Sequence, residues 1–188
     1  MIKIGITGSL ASGKTTAGKI LSSQRGPIFN ADMIVKKIYK NNNFRFLVGK
    51  KFKIKNDNQL KKNIKDMILK NKKSLKKLEK IIHPLVRKQM NKFTLKNKNK
   101  EILFYEIPLL IESKLMKFFD IIIFIKSKKE TRVKRFIKKK GDIRLFNLLN
   151  NQQMSDKKKI KYCDYVVTND RNLKILKNDL LNIISKYE

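Results

Sequence analysis

Short apolar segments alternate with longer amphipathic segments along most of the 188-residue chain. The apolar segments are rich in isoleucine and aromatic residues and alternate little with polar ones, which is typical of parallel strands buried on both faces. The predicted strands are residues 2–7, 27–30, 102–107, 121–125 and 165–168. The longer segments predict helices at residues 16–23, 33–39, 59–82, 84–95, 129–139, 146–162 and 173–186. This alternation predicts an α/β fold, with a parallel sheet of about five strands flanked by helices.

One region departs from this alternation. Residues 40–62 are rich in Asn and Lys and weakly patterned, and we predict an insertion there. The length predicts one compact domain. Cys163 is the single cysteine, which excludes a disulfide framework and favours a reduced, cytoplasmic setting. We expect no signal peptide and no membrane association, because the first strand begins at residue 2 and the aliphatic run at 121–125 is too short to span a bilayer.

The formal net charge of +32 has two interpretations. One is a polyanionic partner such as RNA or DNA. The other is composition alone, since Lys, Asn and Ile are favoured by A/T-rich codons and the chain has 25 Ile, 18 Asn and only 7 Arg. The lysines are spread along the chain without an RNA-binding fingerprint. We therefore expect no specific nucleic-acid partner, although the charge would attract anionic substrates.

Residues 8–15 read G-S-L-A-S-G-K-T and follow the first predicted strand. The pattern G-x-x-x-x-G-K-[S/T] between a strand and a helix is the phosphate-binding loop of nucleotide-binding proteins. Glycines permit its tight turn, and its backbone N–H groups and the helix N-terminus attract phosphate oxygens. Lys14 is expected to reach the β- and γ-phosphates of ATP, and the Thr15 hydroxyl to bind Mg²⁺. The predicted ATP-binding residues here are Gly8, Leu10, Ala11, Ser12, Gly13, Lys14, Thr15 and Thr16.

A phosphate loop does not by itself distinguish kinases from other nucleotide-binding proteins. The sequence has no guanine-reading N-K-x-D motif, which argues against a GTPase. Asp32 follows the second predicted strand, and ligands of such sheets bind outside the carboxyl ends of the strands. Asp32 is therefore a candidate base for an acceptor hydroxyl, or equally the N-cap of the predicted helix 33–39.

Further motifs follow in order along the chain. Asn30-Ala31-Asp32 is similar to a D-A-D sequence, and residues 82–87 (I-H-P-L-V-R) to H-P-x-[VI]-R. Residues 106–112 (E-I-P-L-L-I-E) are similar to D-[VI]-P-L-L-[FY]-E. Gln153-Met154, Lys159 and residues 163–169 (C-D-Y-V-V-T-N) are similar to Q-M…K…A-D-[YF]-V-I-x-N. With the phosphate loop, these motifs make nearly the whole chain resemble the dephospho-coenzyme A kinases.

The resemblance implies transfer of the ATP γ-phosphate to the ribose 3′-hydroxyl of dephospho-CoA, the last step of coenzyme A synthesis. It implies a single P-loop kinase domain with a core at about 1–35, 100–135 and 163–188, an acceptor-binding helical region at about 36–99 and a lid at about 136–155. We expect a monomer with ATP and dephospho-CoA as its small-molecule partners. By position in the motifs, the resemblance implies Asp32 as the base, with Lys14 and Arg135 as further catalytic groups. It implies that the acceptor is bound by Asp32, His83, Arg87 and Pro108. Glu106 is expected to contact Mg²⁺ through water, and Asn169 to contact the adenine.

The chain departs from the family pattern at two places. Asn30 stands where the family often has an acidic residue, so any help from that carboxylate is missing. Lys139 stands about where the family has a second lid arginine, and either Lys139 or Arg144 could substitute for it. Two alternative functions are a different small-molecule or nucleoside monophosphate kinase, which the few arginines disfavour, and a nucleic-acid-binding ATPase, which the charge suggests.

Overall fold

Five parallel strands form one sheet in the structure, a computed structural model that describes residues 1–55 and 59–188. The order across the sheet is β2-β3-β1-β4-β5. Every strand lies within one residue of its predicted bounds, and the predicted α/β class and parallel sheet are confirmed. The strands are β1 (Ile2–Gly8), β2 (Ile28–Asn30), β3 (Ile102–Glu106), β4 (Ile121–Lys126) and β5 (Tyr165–Thr168).

Both faces of the sheet are covered. On one face, helices α1 (Lys14–Ser22) and α9 (Leu173–Ile184) contribute apolar side chains to a core shared with Ile102 and Phe104 of β3. Because side chains alternate along a strand, Tyr105 of β3 lies on the opposite face. There its ring packs edge-on against Phe119, with centroids 5.3 Å apart. All five residues of β3 are buried, which explains why its sequence is apolar without alternation.

The helices between β2 and β3 end at different places from those predicted. They are α2 (Ala31–Ile38), α3 (Asn42–Phe52), α4 (Leu60–Lys70) and α5 (Lys72–Lys96). The predicted boundary at Pro84 is wrong, since α5 continues through this residue and the break falls at Asn71. Asn71 is extended, and its side-chain Oδ1 accepts a hydrogen bond of 3.0 Å from the backbone N of Lys73.

The weakly patterned region 40–62 contains a helix that was not predicted. Asn41 caps α3, because its side chain accepts a hydrogen bond of 3.1 Å from the backbone N of Phe44. Phe44 and Val48, one turn apart, are buried. The many surrounding lysines and asparagines made the helical pattern of this apolar pair hard to recognise in the sequence. Residues 56–58 of the predicted insertion lie outside the described residues.

The single helix predicted at 146–162 is two helices, α7 (Ile143–Gln152) and α8 (Asp156–Ile160), which follow α6 (Lys129–Lys138). Gln153 is extended, and the backbone N of Met154 donates to Oε1 of Glu112, 3.1 Å away, so this amide does not continue a helix. Within 1–55 and 59–188, no helix combines the length and apolar content that crossing a membrane requires.

The described chain divides into two compact units. The first comprises Met1–Asn30 and Lys96–Glu188, and it contains the whole sheet. The second, Ala31–Leu95, is helical and has bounds close to those of the predicted acceptor-binding region. The assignment of core, acceptor region and lid to separate tasks remains a prediction.

Candidate active site

The phosphate loop, residues 8–15, leaves the carboxyl end of β1 and turns into α1. Gly8 has φ 151° and Gly13 has φ 98°, conformations that side chains other than glycine rarely adopt. A Cβ on Gly8 would overlap the backbone O of Ile125, and a Cβ on Gly13 would overlap the side-chain amide of Asn169. The close packing at both positions explains why the loop requires glycine there.

The loop has the features of an anion site. Gly13 occupies the N-cap of α1 and supplies no side chain to the first-turn N–H groups, which attract anions at a helix N-terminus. The Ser12 hydroxyl is fully buried and makes no hydrogen bond to any described residue. Lys14 is buried and its Nζ donates to the backbone O of Gly8 at 3.1 Å and of Ser9 at 2.9 Å. A phosphate group fits this set of donors.

Glu106, at the end of β3, joins the loop to the neighbouring strand. The Thr15 hydroxyl donates to Oε1 of Glu106 at 2.6 Å, and the Asn30 amide donates to Oε2. Glu106 is 2% exposed, so both donors hold a buried carboxylate in one orientation. A hydroxyl and a carboxylate are the hard oxygen ligands that Mg²⁺ prefers. Within the part of the chain that the structure describes, no cluster of three or more acidic, His or Cys side chains is present.

Arg135 of α6 reaches the far side of the loop. Its guanidinium donates to the backbone O of Ser12 at 3.4 Å, to the Ser127 hydroxyl at 3.3 Å and to the backbone O of Asn169 at 3.0 Å. The Asn169 side chain is buried and its Nδ2 also donates to the backbone O of Ser12, at 2.8 Å. The structure thus brings the predicted residues Arg135 and Asn169 together at the loop.

Sequence reasoning missed a second arginine there. Arg132 is 7% exposed, and its Nη1 donates to the backbone O of Leu10 at 3.4 Å and to Oδ1 of Asn150 at 2.8 Å. Its Nε donates to the backbone O of Ser127 at 3.2 Å. Arg132 lies three residues before Arg135, on the same side of α6, and this spacing is the signal that could have identified it.

The connection from α7 to α8 also contacts the loop. The Ser9 hydroxyl donates to Oδ1 of Asp156, and the backbone N of Leu10 donates to Oε1 of Gln153 at 3.2 Å. Gln153 lies in a motif that the sequence showed, but nothing in the sequence gave it or Asp156 a role.

The other predicted residues are not all in the first unit. Asp32, His83 and Arg87 belong to the second unit, whereas Thr16 and Pro108 belong to the first. The backbone O of Pro108 accepts a hydrogen bond of 3.2 Å from the Thr7 hydroxyl, and Thr16 is exposed on α1. The N-cap alternative for Asp32 is wrong, because α2 begins at Ala31 and Asp32 is an exposed residue of its first turn.

His83 and Arg87 lie one turn apart on α5. Burial lowers the pKa of His83 below its ordinary value, and the positive charge of Arg87 lowers it further. Both effects favour the neutral imidazole over the charged form.

Comparison with known proteins identifies the family. The family model described as dephospho-CoA kinase matches residues 2–174 of the chain. The chain belongs to the dephospho-CoA kinase family. A dephospho-CoA kinase of Fusobacterium nucleatum is 35% identical over 178 residues, covering 92% of both chains. A dephospho-CoA kinase of Rickettsia prowazekii is 31% identical over 189 residues, covering all of this chain and 98% of its own. The enzyme is thus an ATP-dependent kinase, as its motifs predicted.

Solved structures agree on the fold. A protein from Thermus thermophilus is similar with a TM-score of 0.81 and 24% identity, covering all of this chain and 98% of its own. A dephospho-CoA kinase from Campylobacter jejuni has a TM-score of 0.64 and 24% identity, over 99% of this chain and 97% of its own. A shikimate kinase from Bacteroides thetaiotaomicron has a TM-score of 0.56 at 12% identity, covering 98% and 97% of the two chains. The P-loop kinase fold predicted for this family member is confirmed.

Proposed function

We propose that this enzyme transfers the γ-phosphate of ATP, with Mg²⁺, to the ribose 3′-hydroxyl of dephospho-CoA in the cytoplasm. The observation that carries the proposal is the phosphate loop, with buried Lys14 and the contact of Thr15 with Glu106, in a chain of the dephospho-CoA kinase family. The kinase family is established by the comparisons. The proposal adds the acceptor atom, the metal and the roles of individual residues.

The first unit would bind the donor. Backbone N–H groups of the loop and the ammonium of Lys14 would hold the ATP phosphates, with Lys14 leaving its contacts on Gly8 and Ser9 for the β- and γ-phosphate oxygens. Mg²⁺ would be held by Thr15 directly and by Glu106 through water, and when bound it would neutralise charge on the phosphate oxygens. Thr16 would extend the phosphate contacts and Asn169 would lie at the adenine.

Three of the residues proposed for the acceptor, Asp32, His83 and Arg87, belong to the second unit. Asp32 would accept the proton of the attacking hydroxyl, which requires an ionised carboxylate near that oxygen. His83 and Arg87 would contact the acceptor, and Pro108 is a further proposed acceptor-binding residue. A neutral imidazole at His83 both donates and accepts hydrogen bonds, whereas the guanidinium of Arg87 suits a phosphate of the acceptor.

Arg135 would neutralise charge that develops on the transferred phosphoryl group. Residues 136–155 would close over the site and exclude water, because hydrolysis of ATP competes with transfer. Lys139 or Arg144 would supply the lid cation that the family pattern places there. We propose that the enzyme acts as a monomer.

One acceptor assay tests the function. Purified protein is incubated with ATP, Mg²⁺ and either dephospho-CoA, a set of nucleoside monophosphates, or RNA, and the products are separated and identified. We expect phosphorylation of dephospho-CoA alone, at the 3′-oxygen. Phosphorylation of a nucleoside monophosphate instead, or ATP hydrolysis that rises only with RNA, would replace the proposal by one of the two alternatives.

Two variants test the assigned residues. Asp32→Asn should lower kcat by about 10²–10⁴-fold while ADP binding persists, as removal of a general base does. Lys14→Ala should abolish transfer and weaken ADP binding, because the phosphate charge is no longer met. Asp179→Asn, an exposed change on α9, serves as the matched control and should leave both unchanged. A normal kcat in Asp32→Asn would reject Asp32 as the base.

A further inference from the structure

The first half of the phosphate loop is held by residues that belong to a distant part of the chain. Ser9 is 4% exposed and its hydroxyl donates to the carboxylate of Asp156, the first residue of α8. The backbone N of Leu10 donates to the side chain of Gln153, 3.2 Å away. The two contacts thus hold two successive residues of the loop through side chains that lie outside it.

The segment that holds the loop is itself anchored. Lys159 of α8 is fully buried, and its Nζ forms an ion pair with Oε1 of Glu112, 2.7 Å away. The geometry of this pair does not meet the criteria for a hydrogen bond. The same carboxylate oxygen accepts from the backbone N of Met154. A buried ion pair is costly to break, so it holds residues 153–155, the C-terminal end of the proposed lid, beside Glu112.

We infer that Asp156 and Gln153 are positioning residues of the phosphate loop, which hold Ser9 and Leu10 in the conformation that binds nucleotide phosphate. The inference rests on the proposed binding of ATP at this loop. The contact with Ser9 requires a hydrogen-bond acceptor at position 156 but not a negative charge, which beside the loop would repel phosphate. A neutral acceptor of the same shape at position 156 should therefore support phosphate binding as well as the carboxylate does, or better.

Calorimetric titration with ADP tests this inference in a set of variants. Ser9→Ala should raise the Kd of ADP by about 3–10-fold, the effect of one lost hydrogen bond. Asp156→Ala should raise it by less, because it also removes a negative charge beside the loop. The double variant should bind no more weakly than the weaker single variant, because both changes remove the same contact. Asp156→Asn keeps an oxygen that accepts from Ser9, and it should bind ADP at least as tightly as the wild-type enzyme. In the kinase assay, KM for ATP should rise in the two alanine variants while KM for the acceptor stays unchanged.

The control is Asp120→Asn. Asp120 accepts a hydrogen bond of 2.7 Å from the backbone N of Lys3, at the opposite end of β1, and its replacement should leave ADP binding unchanged. Normal ADP binding by Ser9→Ala and Asp156→Ala would overturn the inference, and so would Asp156→Asn binding as weakly as Asp156→Ala. Ser9→Ala removes a single oxygen, so it keeps the test valid if Asp156→Ala does not fold. Lys14→Ala separates the two proposals: if it binds ADP normally, the loop is not the nucleotide site.

Discussion

Asn30 carries an amide where the family pattern has a carboxylate, and its contact with Glu106 gives this difference a physical meaning. An amide donates to the buried carboxylate, as Asn30 does to Oε2, whereas an ionised aspartate offers no donor and adds a second negative charge. The sequence alone showed a lost carboxylate. The structure shows that the replacement leaves Glu106 oriented by two donors, Asn30 and Thr15.

His83 gives a prediction at the same scale. The pKa of His83 is lower in the folded enzyme than its ordinary value of about 6.5. Between these two pKa values the imidazole binds a proton more readily in the unfolded chain than in the folded enzyme. The free energy of unfolding should therefore decrease as the pH falls from about 6.5 towards the folded pKa. Above the ordinary pKa the residue is neutral in both states and has no such effect. Arg87→Gln removes one cause of the shift, so the pKa should rise, yet stay below the ordinary value because the imidazole is still buried.

The measurement is a proton NMR titration of the imidazole C–H signals, and the signal is unambiguous because His83 is the only histidine in the chain. Lys88→Gln is the matched control, since it removes a positive charge from a neighbouring exposed residue of α5 that does not shift this pKa. A wild-type pKa at or above the ordinary value would contradict the prediction. An unchanged pKa in Arg87→Gln would show that burial alone lowers it.

At the scale of elements, the sequence predicted strands better than helix ends. A parallel strand buried on both faces must be apolar throughout, so its composition marks its limits, as in β3 and β4. The course of α5 depends instead on packing within the second unit. Leu78, Ile82 and Met90 are buried at spacings of four and eight residues, and this stripe continues across Pro84. Burial of the stripe outweighs the hydrogen bond that proline removes.

Pro84→Ala should therefore stabilise α5. The substitution restores a backbone N–H in the helix interior and removes the clash of the ring with the preceding turn, which together are worth about 3 kcal/mol, less about 1 kcal/mol for the greater freedom of the unfolded chain. We expect the free energy of unfolding to rise by about 2 kcal/mol in urea titrations followed by circular dichroism at a helix wavelength.

Pro27→Ala is the control for this change. Pro27 precedes β2 and lies outside any helix, so its loss should give no gain and only the unfolded-state cost of about 0.4–1 kcal/mol. Equal effects of the two substitutions, or a loss of stability in Pro84→Ala, would show that α5 needs its proline. Lower activity with higher stability would instead indicate that the helix is bent for function at the neighbouring His83.

At the scale of the whole molecule, the site combines residues that no local pattern connects. The phosphate loop and Glu106 were predicted, because each lies in a motif at the end of a strand. Arg132 and Asp156 were not, since they reach Leu10 and Ser9 across 122 and 147 residues of sequence. Such contacts form only when the chain is folded. In the sequence, the importance of this segment was indicated only by neighbouring motif residues such as Gln153.

The net charge of +32 leads to the last prediction. With 47 Lys and Arg against 15 Asp and Glu, repulsion among the basic side chains opposes the compact state. Raising NaCl from about 0.01 M to about 0.1 M shortens the screening length from about 30 Å to about 10 Å, so long-range repulsion should weaken. We expect Tm, followed by calorimetry, to rise by about 2–4 °C for each kcal/mol of repulsion that is removed.

The same titration separates composition from function. If the charge reflects composition alone, the protein should bind RNA weakly, and the affinity should fall steeply as salt rises. RNA should then have no effect on the rate of ATP hydrolysis. Tm that falls with salt would show that attractive pairs outweigh repulsion. RNA that stimulates ATP hydrolysis, and whose binding falls only slightly as salt rises, would show a nucleic-acid partner, because non-specific binding depends on phosphate contacts and falls steeply with salt. Because the phosphate site needs only a few of these cations, kinase activity should depend on salt far less than RNA binding does.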